Sequence, residues 1–123
     1  VQFKIDDIGI GIAQAKGFLW SDQAGIHFEY QVSDNIIELY KSEIKEAVVN
    51  YTQIAEVTYV KSWFGGGKIQ IKLDSLKGVE HISFIKNSEI NIKLKKSQKD
   101  NGKDFVVNTQ LELANYNLAK LDA

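Results

Sequence analysis

Cysteine, proline, methionine and arginine are all absent from this chain. Without cysteine there are no disulfides, no thiolate metal sites and no cysteine nucleophile, and the compartment is left undecided on that ground. Without arginine, all 15 basic residues are lysine, the formal net charge is -1 and the isoelectric point lies near 6.1. A nucleic-acid domain carries a basic excess and reads guanine and phosphate with arginine's planar fork, so nucleic acid is not an expected partner. An AT-rich genome accounts for the missing arginine. The chain begins at Val1 and has no methionine, so a segment upstream of it is expected. No run reaches the roughly 18 apolar residues that span a bilayer, and no Lys/Arg-flanked apolar stretch opens the chain as a signal peptide does. A soluble domain is expected, with the cytoplasm the favoured compartment.

Neither proline-rich nor low-complexity linkers divide the 123 residues, and no internal repeat is evident. One domain, 1–123, is therefore expected, and a domain of this length buries roughly two-thirds of its unfolded surface. The most informative stretch is Trp63-Phe64-Gly65-Gly66-Gly67. Before it Val57, Tyr59 and Lys61 alternate, and after it Ile69, Ile71 and Leu73 do the same, which predicts a β-hairpin. Glycines supply the positive φ of a tight reversal, but two large aromatics stand where a structural turn would be polar. Neighbours on a strand point to opposite faces, so one of the two rings is expected outside the core.

The other periodic segments give more strands. Gln14 to Trp20, the turn-like Ser21-Asp22-Gln23-Ala24-Gly25 and the alternating run Ile26 to Val32 read as a hairpin, with Ile26, Phe28, Tyr30 and Val32 inward and His27, Glu29 and Gln31 wet. Ile36 to Tyr40 reads as a short extended piece. Between Lys41 and Ala55 both periods are present, and the β-branched pair Val48-Val49 favours a strand, with Thr52 to Ala55 as a turn into a strand over Glu56 to Trp63. Lys68 to Leu73 returns, Ile82 to Phe84 is a weak strand, and Glu89 to Lys95 is the last. The period then changes. Val107, Leu111, Ala114, Leu118 and Leu121 step by four and three, a stripe about 80° wide that is expected to face the strands. This helix, over about 101–121, has Asp104 in its first turn and Lys120 near its end, as the helix dipole favours. Phe105 and Tyr116 lie nearly opposite the stripe and are expected at the helix margin.

No β-α-β alternation is present, so a mainly β fold with antiparallel strands is expected, bent into a partly open barrel and plugged by the helix. In that arrangement the chain resembles a bacterial pleckstrin-homology-like domain of the group related to GRAM domains. The resemblance is carried by Gly17-Phe18-Leu19 with Gly25-Ile26, by Lys41 to Glu46, by Thr52-Gln53-Ile54 with Val57, by Trp63-Phe64-Gly65, and by Gly78-Val79 leading to Ser88-Glu89-Ile90. It covers about Ala15 to Leu121. It implies a PH-like barrel of about seven antiparallel strands in two nearly orthogonal sheets, with the C-terminal α-helix closing one end, residues 1–13 as an N-terminal extension, strands within 14–96, and the strand around Ile82 to Phe84 degenerate. Phosphoinositide-binding members of that superfamily carry basic residues around the first hairpin loop. Read as Ser21 to Gly25, that loop has Asp22 and only Lys16 nearby, so a headgroup site there is not expected.

Gly65-Gly66-Gly67-Lys68 lacks the further glycine and the Ser/Thr of a phosphate loop and leads into a strand, so no nucleotide is expected. His27 and His81 have no ligand spacing around them, and no metal or other cofactor is expected. Glu43/Glu46 and Asp6/Asp7 are adjacent charges rather than carboxyls facing across a cleft, and no residue pattern selects a Ser/His/Asp arrangement. The domain is thus expected not to be an enzyme. What remains is contact surface: Trp63, Phe64, Gly65, Gly66 and Gly67, with Trp20, form the candidate interaction surface, since exposed aromatics bury much area at small rotamer cost. Lys93, Lys95, Lys96 and Lys99 are the candidate anion-facing lysines, although Asp100 and Asp104 interleave with the run that continues to Lys103. The expected function is a non-enzymatic interaction module that binds a protein or a second copy of itself. The alternative is a peripheral lipid-binding module that uses the aromatic hairpin as an apolar wedge beside lysines.

Overall fold

The computed structural model describes residues 1–8, 13–34 and 43–122. Among them are seven strands: β1 (Gln2–Ile8), β2 (Ala13–Ser21), β3 (Gly25–Asp34), β4 (Lys45–Asn50), β5 (Ile54–Val60), β6 (Lys68–Leu73) and β7 (Glu89–Lys93). They form two antiparallel sheets, ordered β1-β2-β3-β4 and β5-β6-β7, followed by one C-terminal helix, α1 (Lys99–Leu121). The fold is mainly β, as the alternation predicts. The described strands stay in two sheets and do not close into a barrel.

Residues 1–13 are more than an extension. Phe3 turns inward while Gln2 and Lys4 face water, and β1 pairs with β2 from Gln2↔Phe18 to Ile8↔Ala13. Ser21 to Gly25 is consequently the second reversal of the sheet, between β2 and β3, and the β1–β2 connection falls at 9–12, outside the described residues. The piece expected at Ile36 to Tyr40 also lies outside the described residues. The strand expected between Lys41 and Ala55 is β4. The turn after it is the 3-10 segment Tyr51–Gln53, in which the Gln53 side chain accepts the Asn50 N–H at 3.1 Å, so β5 begins at Ile54, earlier than the pattern suggests. Ile82 to Phe84 forms no strand. It lies in a series of turns whose Val79, Ile82 and Phe84 are buried.

The core lies between the sheets. Phe84 meets Phe3, Phe28 and Tyr30 at ring-centroid distances of 6.0, 5.3 and 5.0 Å, so the turn segment is anchored by apolar contact rather than by a ladder. From the second sheet, Val57, Ile69, Ile71, Ile90 and Ile92 are almost wholly buried.

The helix packs with the face opposite to the one expected. Gly102, Phe105, Val106, Thr109 and Leu113 are buried, whereas Val107, Leu111, Leu118 and Leu121 are 60–79% exposed. Two apolar stripes about 150° apart run along this helix. The inner one wins because it combines close approach with polar ties that the outer stripe lacks. Gly102 sits against Leu94, where an added Cβ would stand 2.2 Å from Cδ1. The Thr109 hydroxyl is in hydrogen-bond contact with that of Ser21 at 2.9 Å, and Gln110 Nε2 donates to the Val57 carbonyl at 2.8 Å. Tyr116 packs against Tyr51, with centroids 6.0 Å apart. The helix thereby touches β2 and β5, one strand from each sheet.

Candidate functional site

Strand β5 ends at Val60, opposite Lys68, and residues 61–67 form a loop rather than the arm of a tight hairpin. Both aromatics are on this loop. Trp63 is 99% exposed and Phe64 89%: one ring was expected outside the core, and both are outside it because they stand on a loop rather than on a strand. The loop is nevertheless held. Its Gly66 N–H donates to the Leu94 carbonyl and Leu94 N–H donates to the Gly67 carbonyl, each at 2.9 Å, while the Tyr59 hydroxyl donates to the Gly66 carbonyl at 2.7 Å. Gly65 takes φ of +77°, the left-handed region, and Gly66 comes so close to the next segment that a Cβ would stand 2.2 Å from the Lys95 carbonyl oxygen. The backbone after the two solvent-facing rings is thus anchored to β5 and to the segment that follows β7.

Trp20 lies elsewhere, on the outer face of the first sheet. It is 42% exposed and stacks on its register partner His27, with ring centroids 5.2 Å apart and planes within 3°. His27 Nε2 meets Asp22 Oδ1 at 2.8 Å, and the same oxygen accepts the Ala24 N–H at 2.8 Å. The hydrogen bond from His27, then that from Ala24, hold the Asp22 carboxyl below its ordinary range. This is a local reversal with its own polar scaffold. It shares no element with the loop at 61–67.

The four candidate lysines divide. Lys93 and Lys95 line a concavity of about 380 Å³ together with Lys4, Lys16, Phe18 and Gln98. Lys96 and Lys99, in the short 3-10 turn and at the start of α1, are exposed and lie outside that lining. Of the lining lysines, Lys16 stands out in the sequence only as the cation near Ser21 to Gly25, and Lys4 not at all. The signal for Lys4 was available, since Phe3 and Ile5 alternate with Gln2, Lys4 and Asp6 as strand residues do. Lys16 faces outward with Phe18, which is 51% exposed. Among the described residues no three His, Asp or Glu side chains converge as metal ligands, and no helix is long and apolar enough to cross a membrane. Compared with protein-family models, with curated proteins and with solved structures, the chain finds no match.

Proposed function

We propose that this domain is a non-enzymatic interaction module of pleckstrin-homology-like type, engaging a protein and in the first instance a second copy of itself. The order of elements supports the fold reading: sheets of four and three antiparallel strands followed by a C-terminal helix. The observation that carries the function is the pair Trp63 and Phe64, almost wholly exposed on a backbone held by three hydrogen bonds. Large rings with so little protein around them match the aromatic anchors that dominate interface energetics. The outward stripe of α1 adds a second apolar surface. Its four-and-three spacing is that of a helix–helix seam, and Asn108, Gln110, Asn115 and Asn117 flank its middle, while Lys103 and Asp104 lie beside its start.

Light scattering at several protein concentrations tests self-association: mass rises with concentration, and Trp63→Ala with Phe64→Ala lowers it. A strictly monomeric parent ends that version. A photo-crosslinking aromatic placed at position 63 then decides for other proteins, against the same group at exposed Glu80. No adducts beyond those of the Glu80 control would end the reading altogether.

A second reading is favoured by one contact. The loop is pinned to Leu94, within the lysine-bearing stretch Lys93, Lys95 and Lys96, so an apolar wedge and cations share one region. That is the composition of a peripheral membrane contact. Salt-sensitive sedimentation with anionic vesicles, lost in Phe64→Ala, supports it, and absence of sedimentation at low salt removes it.

A further inference from the structure

We propose that two copies of this domain pair their α1 helices antiparallel along the outer stripe, with the Trp63/Phe64 loop of each copy closing on the end of the other's helix. This pairing rests on the self-association reading and adds to it an element, a direction and a register. Asp100 and Asp104 continue the stripe's four-and-three spacing back toward the start of the helix, and both are exposed, as its leucines are. One line along α1 is therefore acidic over its first turn and apolar from Val107 to Leu121, about 21 Å further at 1.5 Å per residue.

That order decides the direction. In a parallel pair equal positions share a layer, so the Asp100 and Asp104 layers would each set carboxylate on carboxylate, and Ala114 would face the partner's Ala114 across a gap that no side chain fills. An antiparallel pair centred between Leu111 and Ala114 has neither fault. Leu111 then packs on the partner's Ala114 and Val107 on the partner's Leu118, and the two-fold axis repeats both contacts. Large meets small at the centre. Asp104 moves to the solvated end of the seam, about 25 Å along the axis from the partner's Asp104, and Asp100 lies beyond the seam altogether.

The flanks favour a second copy over a lipid surface. Helices that lie on membranes carry Lys or Arg beside the apolar stripe, whereas amides stand beside the middle of this one. The aromatic loop is attached at the start of the same stripe. Lys103 places its ammonium 5.4 Å from the centre of the Tyr59 ring, whose hydroxyl donates to the Gly66 carbonyl at 2.7 Å. Leu121 follows Lys103 by 18 residues, which is five helical turns, and so lies on the same side of α1. In an antiparallel pair like flanks face each other, which brings the loop beside Lys103 in one copy to Leu121 in the other. Leu121 is 79% exposed, Trp63 99% and Phe64 89%, so the pairing covers three large apolar groups that a single copy leaves bare.

The chain has no cysteine, so introduced thiols report neighbours without background. Val107→Cys and Leu118→Cys proteins, one carrying a mass tag, are mixed at a concentration where light scattering shows association and are oxidised with copper phenanthroline. A disulfide between the two variants is expected, and none of Val107→Cys with itself, because the antiparallel register holds those two positions about 16 Å apart along the axis. In a Trp20→Phe background, Trp63 emission is expected to move to the blue as concentration rises, and Leu121→Asn to abolish the shift. Leu118→Asn is expected to raise the dimer dissociation constant about tenfold or more, whereas Lys77→Gln, on an exposed turn, leaves it unchanged. Circular dichroism checks that the variants fold. A disulfide of Val107→Cys with itself marks a parallel pair and overturns the proposal. A dimer that forms no disulfide between the two variants overturns it as well, while self-association through another surface stands. A Trp63 shift that persists in Leu121→Asn overturns the loop contact. A monomer at every concentration ends this pairing together with the self-association reading.

Discussion

The Tyr59 hydroxyl donates to the Gly66 carbonyl at 2.7 Å, tying the last inward part of β5 to the loop that carries Trp63 and Phe64. The Lys103 ammonium lies 5.4 Å from the centre of the same ring, so helix, strand and loop meet at one phenol. Tyr59→Phe keeps the ring and removes only the donor. We expect a loss of about 1 kcal/mol, the net worth of a hydrogen bond, in urea unfolding. The loop should also loosen, seen as lower fluorescence anisotropy of Trp63 in a background where Trp20 is phenylalanine.

Gly65 and Gly66 resist substitution for different reasons. At Gly66 an added methyl would lie 2.2 Å from the Lys95 carbonyl oxygen and 2.9 Å from that of Leu94, both backbone atoms that cannot swing aside. At Gly65 the nearest atom is 3.5 Å away, an ordinary contact, and only the positive φ opposes a side chain. Gly65→Ala is expected to cost about 1 kcal/mol, the left-handed penalty, and Gly66→Ala more, because the strap to Leu94 must shift. Comparing the two by chemical denaturation checks the order. Equal costs would contradict the close approach.

The helix gives a direct test of which stripe packs. Leu113 is 9% exposed on the inner face and Leu111 is 60% exposed on the outer one. Leu113→Ala is expected to cost about 2–3 kcal/mol, toward the lower end for a buried leucine, and Leu111→Ala to stay within about 0.5 kcal/mol in a monomer. If the proposed association uses the outer stripe, Leu111→Ala lowers the associated fraction while leaving monomer stability unchanged. Unfolding curves and light scattering on the same samples separate the two effects.

That pair of leucines also shows where the sequence stops being legible. Strands with one wet face announce themselves by alternation, as in Ile26 to Val32, because each side is sorted by solvent alone. The helix carries apolar residues on both sides, and periodicity cannot rank two stripes. What decides between them is non-local: Gly102 against Leu94, Thr109 against Ser21, Gln110 against Val57. The sequence stripe was the more regular of the two precisely where tertiary contacts do not interrupt it with glycine and threonine.

The candidate site divides along the same line. Trp63 and Phe64 stand out in the sequence because aromatics beside three glycines contradict turn chemistry, but their shared exposure depends on β5 stopping at Val60 and on the tie to Leu94, about 30 residues away. The lysine cleft was illegible for a different reason. Lys4, Lys16, Lys93 and Lys95 come together only through the pairing of β1 with β2 and the passage of β7 beside β1, and Lys4 lies within the first 13 residues, which read in sequence as an extension.

Tyr51 predicts how the fold responds to alkali. Its ring is buried beside the helix, 4% exposed, and its hydroxyl donates to the Asp22 carbonyl at 2.5 Å. Burial, then the nearby charges of Glu112 and Asp22, push the phenol up to about 12. The folded state therefore holds this proton more tightly than the unfolded chain, whose tyrosine ionises near 10. Below that ordinary value the contribution to stability is complete. As pH climbs from about 10 to about 12 the unfolded state loses its proton first, and stability falls across that window. Tyr51→Phe should lower stability by about 1 kcal/mol at neutral pH through the lost hydrogen bond, yet flatten the decline above pH 10 relative to the parent. Urea midpoints measured from pH 7 to 12 for both proteins test this, and parallel declines would show that Tyr51 is not the group responsible.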